Sequence, residues 1–290
     1  MLLATAVDQI ETECDLERST IEQYRRAVNR FSDFIGKQAT DDDLDRDNLN
    51  QFIKLMQSRT TNTTAGNYRR ALCRVWNYLT EEHDKAAYEI RRLRRPKAIE
   101  QPVVAWTMAD LKALLASAKT VEGRLKMGVE AKHYFSALLL TAYDTGLRPS
   151  DLFRLRWDQL DTQAKMFLLV QHKTNKPHCV FISDETLEAI ERTRHPIRET
   201  LYPLTWGGIR RWMEKIFKIA RLHGFRRMPN KNLGTLRKTN ATQVYIEDGE
   251  AAAAESLGHA GGSRIVRKHY IDHRARRKYS IPRRPNEEIG

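Results

Sequence analysis

The sequence predicts a mainly α protein with a small β element, divided into two domains. Three observations carry this prediction. Apolar residues recur at helical spacing through most of the chain, and only the stretch around 166–182 reads as short strands joined by turn-forming residues. Between Arg91 and Val104 the periodicity dissolves into RRLRRPKAIEQPVV, a basic stretch with two prolines that reads as an inter-domain linker. At 290 residues the chain is long enough for two buried cores, and no internal repeat interrupts it.

The first part, residues 1–98, reads as helices. Ser19 and Thr20 offer N-caps with Glu22 just behind them. Ile21, Tyr24, Val28, Phe31 and Ile35 then fall on one stripe, and Gly36 supplies the stop. A second helix fits Leu49 to Met56. A third opens in the TTNTT stretch and carries Tyr68, Leu72, Val75, Trp76 and Leu79. In the second part, residues 105–275, helices are expected over Met108–Ser117 and Tyr134–Tyr143. Met166–Gln171 and Cys179–Ile182 read as two strands joined by HKTNKPH, whose Asn and Pro favour a turn. Helices return over Asp184–Arg194, Trp206–Leu222, Thr235–Ile246 and about Gly249–Leu257, with a last one near Ser263–Tyr270. Residues 276–290 form a basic tail containing Pro282 and Pro285.

Composition narrows the function classes. Fifty Lys and Arg against 37 Asp and Glu leave a net charge of +13. The excess is lopsided: residues 1–98 hold 17 basic and 16 acidic side chains, residues 99–290 hold 33 and 21. A segment this basic is suited to a polyanion, because neutralising phosphates releases condensed counterions. The first part is polarised too. Asp41, Asp42, Asp43, Asp45 and Asp47 crowd one acidic turn, while residues 48–98 carry 11 basic against 4 acidic groups. The longest apolar stretch, about Tyr134 to Tyr143, is half what a bilayer requires, so no membrane span is expected. No secretory signal is apparent, and Cys14, Cys73 and Cys179 form neither a disulfide framework nor a zinc spacing. Both points fit a cytoplasmic, nucleoid-associated protein. There is no GxxxxGK[ST] loop, GxGxxG or HExxH, so neither a metal nor a nucleotide cofactor is expected.

Two arginines stand at helix beginnings. In TGLRPSDLFRLRW, Gly146 is placed to end one helix and Pro149 to open the next, which leaves Arg148 in the gap beside exposed amides. In GTLRKTNAT, Thr235 reads as an N-cap, so Arg237 falls in the first turn. Each guanidinium can give a phosphate two parallel hydrogen bonds, so the pair could clamp one phosphodiester.

TGLRPSDLFRLRW, KTNK, TLRKTNAT, SLGHA and KHY, in that order and at these separations, resemble the tyrosine recombinases, also called the phage integrase family. The resemblance covers residues 105–275 well and the N-terminal helices more loosely. It implies a helical core-binding domain (1–98, linker about 91–104), an α+β catalytic domain (105–275) and a C-terminal tail (276–290), the two domains closing around duplex DNA. With no arm-binding domain ahead of residue 1, this simpler two-domain architecture is expected. The resemblance further implies site-specific cleavage and rejoining of DNA. Arg148 and Arg237 would bind the scissile phosphate, and Tyr270 would attack it to give a 3′-phosphotyrosine. Lys173, with Lys176 as a competitor, would protonate the leaving oxygen, and His259 would hydrogen-bond the phosphate. Storing the bond energy in the phosphotyrosine removes any need for ATP.

One position departs from the family pattern. The usual HxxR histidine, which helps take the phenol proton, is replaced by Gly234. Free phenols ionise near pH ~10, so a substitute is needed. Lys231 or Asn232 from the same loop, or the positive field of the arginines, could serve. The alternative is a catalytically impaired DNA-binding protein of the same fold; a topoisomerase-like relaxing enzyme is a weaker third reading. Asn67, Arg69, Arg70 and Arg74 on the third N-terminal helix are the residues expected to contact DNA bases and phosphates. Family members act as tetramers on double-stranded DNA, so a homo-tetramer is expected. The tail could pass between neighbours or lie on phosphates.

Overall fold

In the computed structural model, which describes residues 1–194, 198–226, 232–258 and 263–276, the chain folds as two units, Met1–Gln101 and Pro102–Gly290. The first unit is built from α1 (Leu3–Glu13), α2 (Arg18–Ile35), α3 (Arg46–Arg59) and α4 (Asn62–Glu82). Helix α1 was not expected from the sequence. It buries Leu3, Ala6, Val7 and Ile10, a helical stripe, but no capping side chain announces its start. Helix α2 begins at Arg18, just before the expected caps, and ends where Gly36 turns left-handed at φ 84°. Helix α3 is longer than expected because part of the acidic turn is its cap. The Asp45 carboxylate accepts the amides of Asp47 and Asn48 at 2.7 and 2.8 Å. Thr61 caps α4 in the same way. The core between these helices holds an edge-to-face pair, Phe31 on Phe52, at 5.4 Å.

The stretch expected as a linker is divided. Leu93 is buried in the first unit's core, and the side-chain amide of Asn50 binds the Arg92 carbonyl and the Arg94 amide (3.1 and 2.6 Å). Asn62 similarly donates to the Lys97 carbonyl. Val103, Ala105 and Trp106, beyond Pro102, are buried in the second unit.

The second unit is organised around α6 (Ala131–Thr145), a helix apolar on nearly all sides and therefore central. Against it lie α5 (Met108–Thr120), opened by a Thr107/Asp110 capping box, and α8 (Asp184–Glu191). Helix α9 (Trp206–Leu222) packs on α5. Fully buried leucines such as Leu138 and Leu139 each contribute about 2 kcal/mol by area. After α6 comes the single turn α7 (Pro149–Leu152), with Pro149 at its first position. An antiparallel sheet of β1 (Leu160–Asp161), β2 (Met166–Gln171) and β3 (Lys176–Phe181) follows, in that spatial order. Its register sets Gln171 opposite Lys176 and Met166 opposite Phe181. Strand β3 starts three residues before the expected Cys179, because at the sheet's edge Pro177 is tolerated. Along β2, Phe167, Leu169 and Gln171 face inward while Leu168 and Val170 face out.

Two findings concern the C-terminal helices. The pair expected over Thr235–Ile246 and Gly249–Leu257 is present: the stretch α10 (Gly234–Ser256) is two helices divided at Gly249, whose φ/ψ of 89°/−173° is not helical. Thr235 is not its N-cap: α10 already starts at Gly234, and the Asn232 carboxamide oxygen accepts the Gly234 amide at 3.0 Å. Helix α11 (Ser263–His269) completes the unit and ends one residue before Tyr270. Among the described residues no helix is long and apolar enough to cross a membrane, and no group of three or more His, Cys, Asp or Glu could hold a metal ion.

Candidate active site

Gly146 is where the site begins. It leaves α6 in the left-handed region (φ 55°), and a Cβ on it would sit 2.5 Å from the Asn240 Oδ1 of α10. Only glycine fits both demands. The sharp exit lets Asn240 donate to the carbonyls of Tyr143 and Asp144, tying α10 to the end of α6. Two residues on, Arg148 is held extended (φ −64°, ψ 145°), the conformation a following proline favours. Its side chain is only 15% exposed. Nη1 donates to Gln171 Oε1 at 3.1 Å and lies 3.8 Å from Asp151 Oδ2. Asp151, buried on α7, also accepts the His172 amide, which joins α7 to the β2–β3 turn.

Arg237, in the first turn of α10, is 3% exposed. Its Nη1 donates to the Gly146 carbonyl at 2.6 Å and its Nη2 to the Leu257 carbonyl at 3.1 Å. The same glycine exit thus presents Arg148 and anchors Arg237. Burial, reinforced by the charge of Arg148, pushes Arg237 down to about 10, while Tyr270 and Asp151 pull it up. That value leaves the guanidinium charged at neutral pH. Two guanidiniums facing one carboxylate, Asp151, make a partly desolvated space with positive charge to spare.

Tyr270 is directed into this cluster. Its ring centroid is 4.9 Å from Arg237 Cζ, within the range of a cation–π contact. The chain beyond it is clasped to the unit's start. Asp272 Oδ2 accepts the Ala105 amide at 2.7 Å, Asp272 N donates to Thr242 Oγ1, and Ile271 is fully buried. The buried Asp272 carboxyl is raised by desolvation, but bonds from Arg274 and from the amides of Ala105 and Arg274 leave it net below the usual carboxylate range.

Arg148, Arg237 and Tyr270 are therefore brought together. Lys173 is exposed at the β2–β3 turn, two residues beyond Gln171. Lys176 lies at the start of β3, exposed. His259 and Lys231 fall outside the described residues, as does the tail from 277. Gly258 is left-handed (φ 64°), and a Cβ there would be 2.5 Å from Gln171 Nε2, so the backbone at Gly258 is pressed on the cluster. Gly234 lies beside the Arg148 turn, since its Cβ position would be 3.8 Å from Pro149 Cγ. On α4, Asn67, Arg70 and Arg74 share one face, with Arg70 bonded to Asn67 and Arg74 3.6 Å from Glu81. Arg69 projects from another side, its Nε buried.

Sequence reasoning missed Gln171, Asp151 and His178. His178, half-buried on β3 and bonded to the Ser256 carbonyl, is held below the usual histidine range by burial, although the Ser256 carbonyl opposes the shift; Arg237 and Arg148 reinforce it. The available signal was an inward-facing polar residue at the end of an otherwise apolar strand.

The phage integrase family model matches residues 107–277, more than half of the chain and every element of this site. The chain belongs to the phage integrase family, the tyrosine recombinases. This recombinase is 25% identical over 262 residues to tyrosine recombinase XerC of Xylella fastidiosa (strain M23), covering 87% of this chain and 85% of that protein. Among solved structures it resembles a lambda integrase dimer bound to a COC′ core site, with a TM-score of 0.73, 15% identity, and 97% and 80% of the two chains covered. It also resembles the XerH recombinase bound to a palindromic difH substrate, at TM-score 0.65 and 18% identity, covering 85% and 74%. Those likenesses establish the fold that this recombinase shares with them, mostly helical with a small sheet.

Proposed function

We propose that this recombinase cleaves and rejoins double-stranded DNA at specific sites through a 3′-phosphotyrosine intermediate. One observation carries the reading: the Tyr270 ring lies 4.9 Å from the buried Arg237 guanidinium, in the same cluster that holds Arg148. Arg148 and Arg237 hold the non-bridging oxygens of the scissile phosphate and stabilise the charge that builds on them during attack. The Tyr270 phenol gives up its proton to solvent water, its oxygen forms a bond to phosphorus while the bond to the 5′-oxygen breaks, and Lys173, from the β2–β3 turn, supplies the proton that the leaving oxygen takes up. His259 adds a further hydrogen bond to the phosphate. Attack by a 5′-hydroxyl on the phosphotyrosine reverses the step and rejoins a strand. The test is covalent trapping. Duplexes selected from a randomised pool by the wild type, then nicked beside the cleaved position, should leave protein attached to a 3′ end. A protein that binds them and never becomes attached contradicts the mechanism.

Residues of the first unit grip the duplex, with Asn67, Arg70 and Arg74 presented on one face of α4 and Arg69 beside them. A homo-tetramer is the active assembly, by analogy with the lambda integrase tetramer seen bound to a Holliday junction. Phosphate contacts dominate such an interface, so log K should fall linearly with log salt. A footprint of six or more phosphates lowers affinity by about 10³-fold or more between 50 and 200 mM salt. Filter binding across that range checks it, and a flat response would contradict a phosphate-dominated grip.

Gly234 favours a second reading, a DNA-binding protein of this fold whose cleavage is impaired because nothing takes the phenol proton. The two separate in Gly234→His. Position 234 borders the Arg148 turn, so an imidazole there is near the cluster. If proton removal limits the wild type, the variant should cleave ~10-fold faster or more at neutral pH, the low end for a positioned base. Its rate should also fall off below the imidazole's pKa. Single-turnover cleavage against pH is the measurement, and an unchanged rate means the proton already has another acceptor.

A further inference from the structure

Gln171 links Arg148, the Leu257 carbonyl that also holds Arg237, and the β2–β3 turn. It is fully buried at the inward-facing end of β2. Its Oε1 accepts from Arg148 Nη1 at 3.1 Å and from Thr174 Oγ1 at 3.0 Å. Its Nε2 donates at 3.2 Å to the Leu257 carbonyl, the same oxygen that receives Arg237 Nη2 at 3.1 Å. Its backbone carbonyl accepts the amides of Thr174 and Asn175 at 3.3 and 2.8 Å, which closes the turn that carries Lys173. The amide can point only one way. Turned over, it would set its NH₂ against a guanidinium and its oxygen against a carbonyl.

We propose that Gln171 is a positioning residue that locks Arg148 and Arg237 into one phosphate clamp and indexes that clamp to the lysine-bearing turn; this rests on the reading of the site given above. Gln171 reaches the phosphate only through its partners. Arg148 is tethered through Oε1, Arg237 through the shared Leu257 carbonyl, and the turn through the main chain, so a shift in any one is resisted by the other two. The chemistry of the position explains the residue type. A methionine of similar length can neither accept nor donate these bonds. A glutamate would lose the donor to Leu257 and add a second carboxylate beside Asp151, cancelling the positive charge that attracts the phosphate.

The experiment is a double-mutant cycle on single-turnover cleavage of a nicked duplex, with binding affinity and melting temperature measured on the same proteins. Gln171→Met should cleave about 10²-fold more slowly, the scale of an ångström-sized misplacement of catalytic groups, while duplex affinity stays within about 3-fold. In the Arg148→Lys background, where the guanidinium fork is already gone, the same substitution should cost less than about 3-fold. A packing role alone would give the same factor in both backgrounds and would overturn the proposal, as would an unchanged rate in Gln171→Met. Should that variant not fold, Thr174→Val removes one of the two donors to Oε1 from an exposed position. It must slow cleavage several-fold at unchanged affinity, and wild-type behaviour would overturn the proposal equally. Wild type and Tyr270→Phe are run alongside. A wild type that binds yet forms no adduct defeats the reading of the site and this inference with it, whereas a cleaving wild type matched by Gln171→Met defeats only this inference.

Discussion

Tyr270→Phe is expected to abolish the covalent protein–DNA adduct while leaving duplex binding and folding intact. The substitution removes one oxygen and nothing else. The ring keeps its place over the Arg237 guanidinium, 4.9 Å away, and its packing against the cluster of Ala241, Ala253, Ala254, Leu257, Val266 and Ile271. What goes is the nucleophile. Loss of one hydroxyl's hydrogen bonding should change stability by about 1 kcal/mol. Loss of a covalent nucleophile should lower the cleavage rate by roughly 10⁴-fold or more, below detection on a denaturing gel. The clasp beyond position 270, from Asp272 to the Ala105 amide and to Thr242, does not involve the phenol and should hold the variant's backbone in place. Two measurements decide it: radiolabel retained on denatured protein, and affinity for the intact duplex. An adduct formed by the Phe variant would remove Tyr270 from the mechanism, whereas loss of binding would mean that the phenol helps to seat the DNA.

How much of this was legible in the sequence follows from how local each cause is. Helix α9, Trp206–Leu222, and strand β2, Met166–Gln171, are found where the sequence places them, because a helical stripe or a short apolar run ending in turn residues is itself the cause of the element. Arg148 was legible for the same reason: Gly146 and Pro149, within three residues, dictate the exit from α6 and the entry to α7. The start of α3 was misjudged since Asp45, read as one charge in an acidic turn, is the cap that adds a turn of helix. The break in α10 at Gly249 was legible as two helices, because a glycine between two apolar stripes marks its place. The least legible features are tertiary. Nothing near Arg237 in sequence says that its partner is a carbonyl 91 residues earlier, and nothing near Gln171 says that its amide faces Leu257, 86 residues later. The resemblance to a family supplied the residue set; the anchoring of that set had to come from the fold. Lys173, exposed on its turn, marks how far the described residues go in gathering it.

Arg237→Lys preserves the charge and should still cost cleavage heavily. The guanidinium uses its fork: Nη1 is spent on the Gly146 carbonyl, Nη2 on the Leu257 carbonyl, and its plane lies beside the Tyr270 ring. A lysine ammonium is a compact point charge on a flexible stem. It cannot span two carbonyls that converge from different helix ends and also present a donor to a phosphate. The Leu257 carbonyl would keep its bond from Gln171, but the Gly146 carbonyl would lose its 2.6 Å contact, so stability should fall by about 1–3 kcal/mol. Removing one preorganised donor of this kind typically costs on the order of 3–4 kcal/mol in the transition state, so cleavage should drop by about 10²–10³-fold. Because the net charge is unchanged, the salt dependence of duplex binding should keep its slope. The loss would then belong to geometry and not to the electrostatic grip. The two quantities are read on one preparation, the single-turnover rate and the slope of log K against log salt. A variant that cleaves within tenfold of wild type would show that a point charge suffices at this position, and that the fork serves the fold alone.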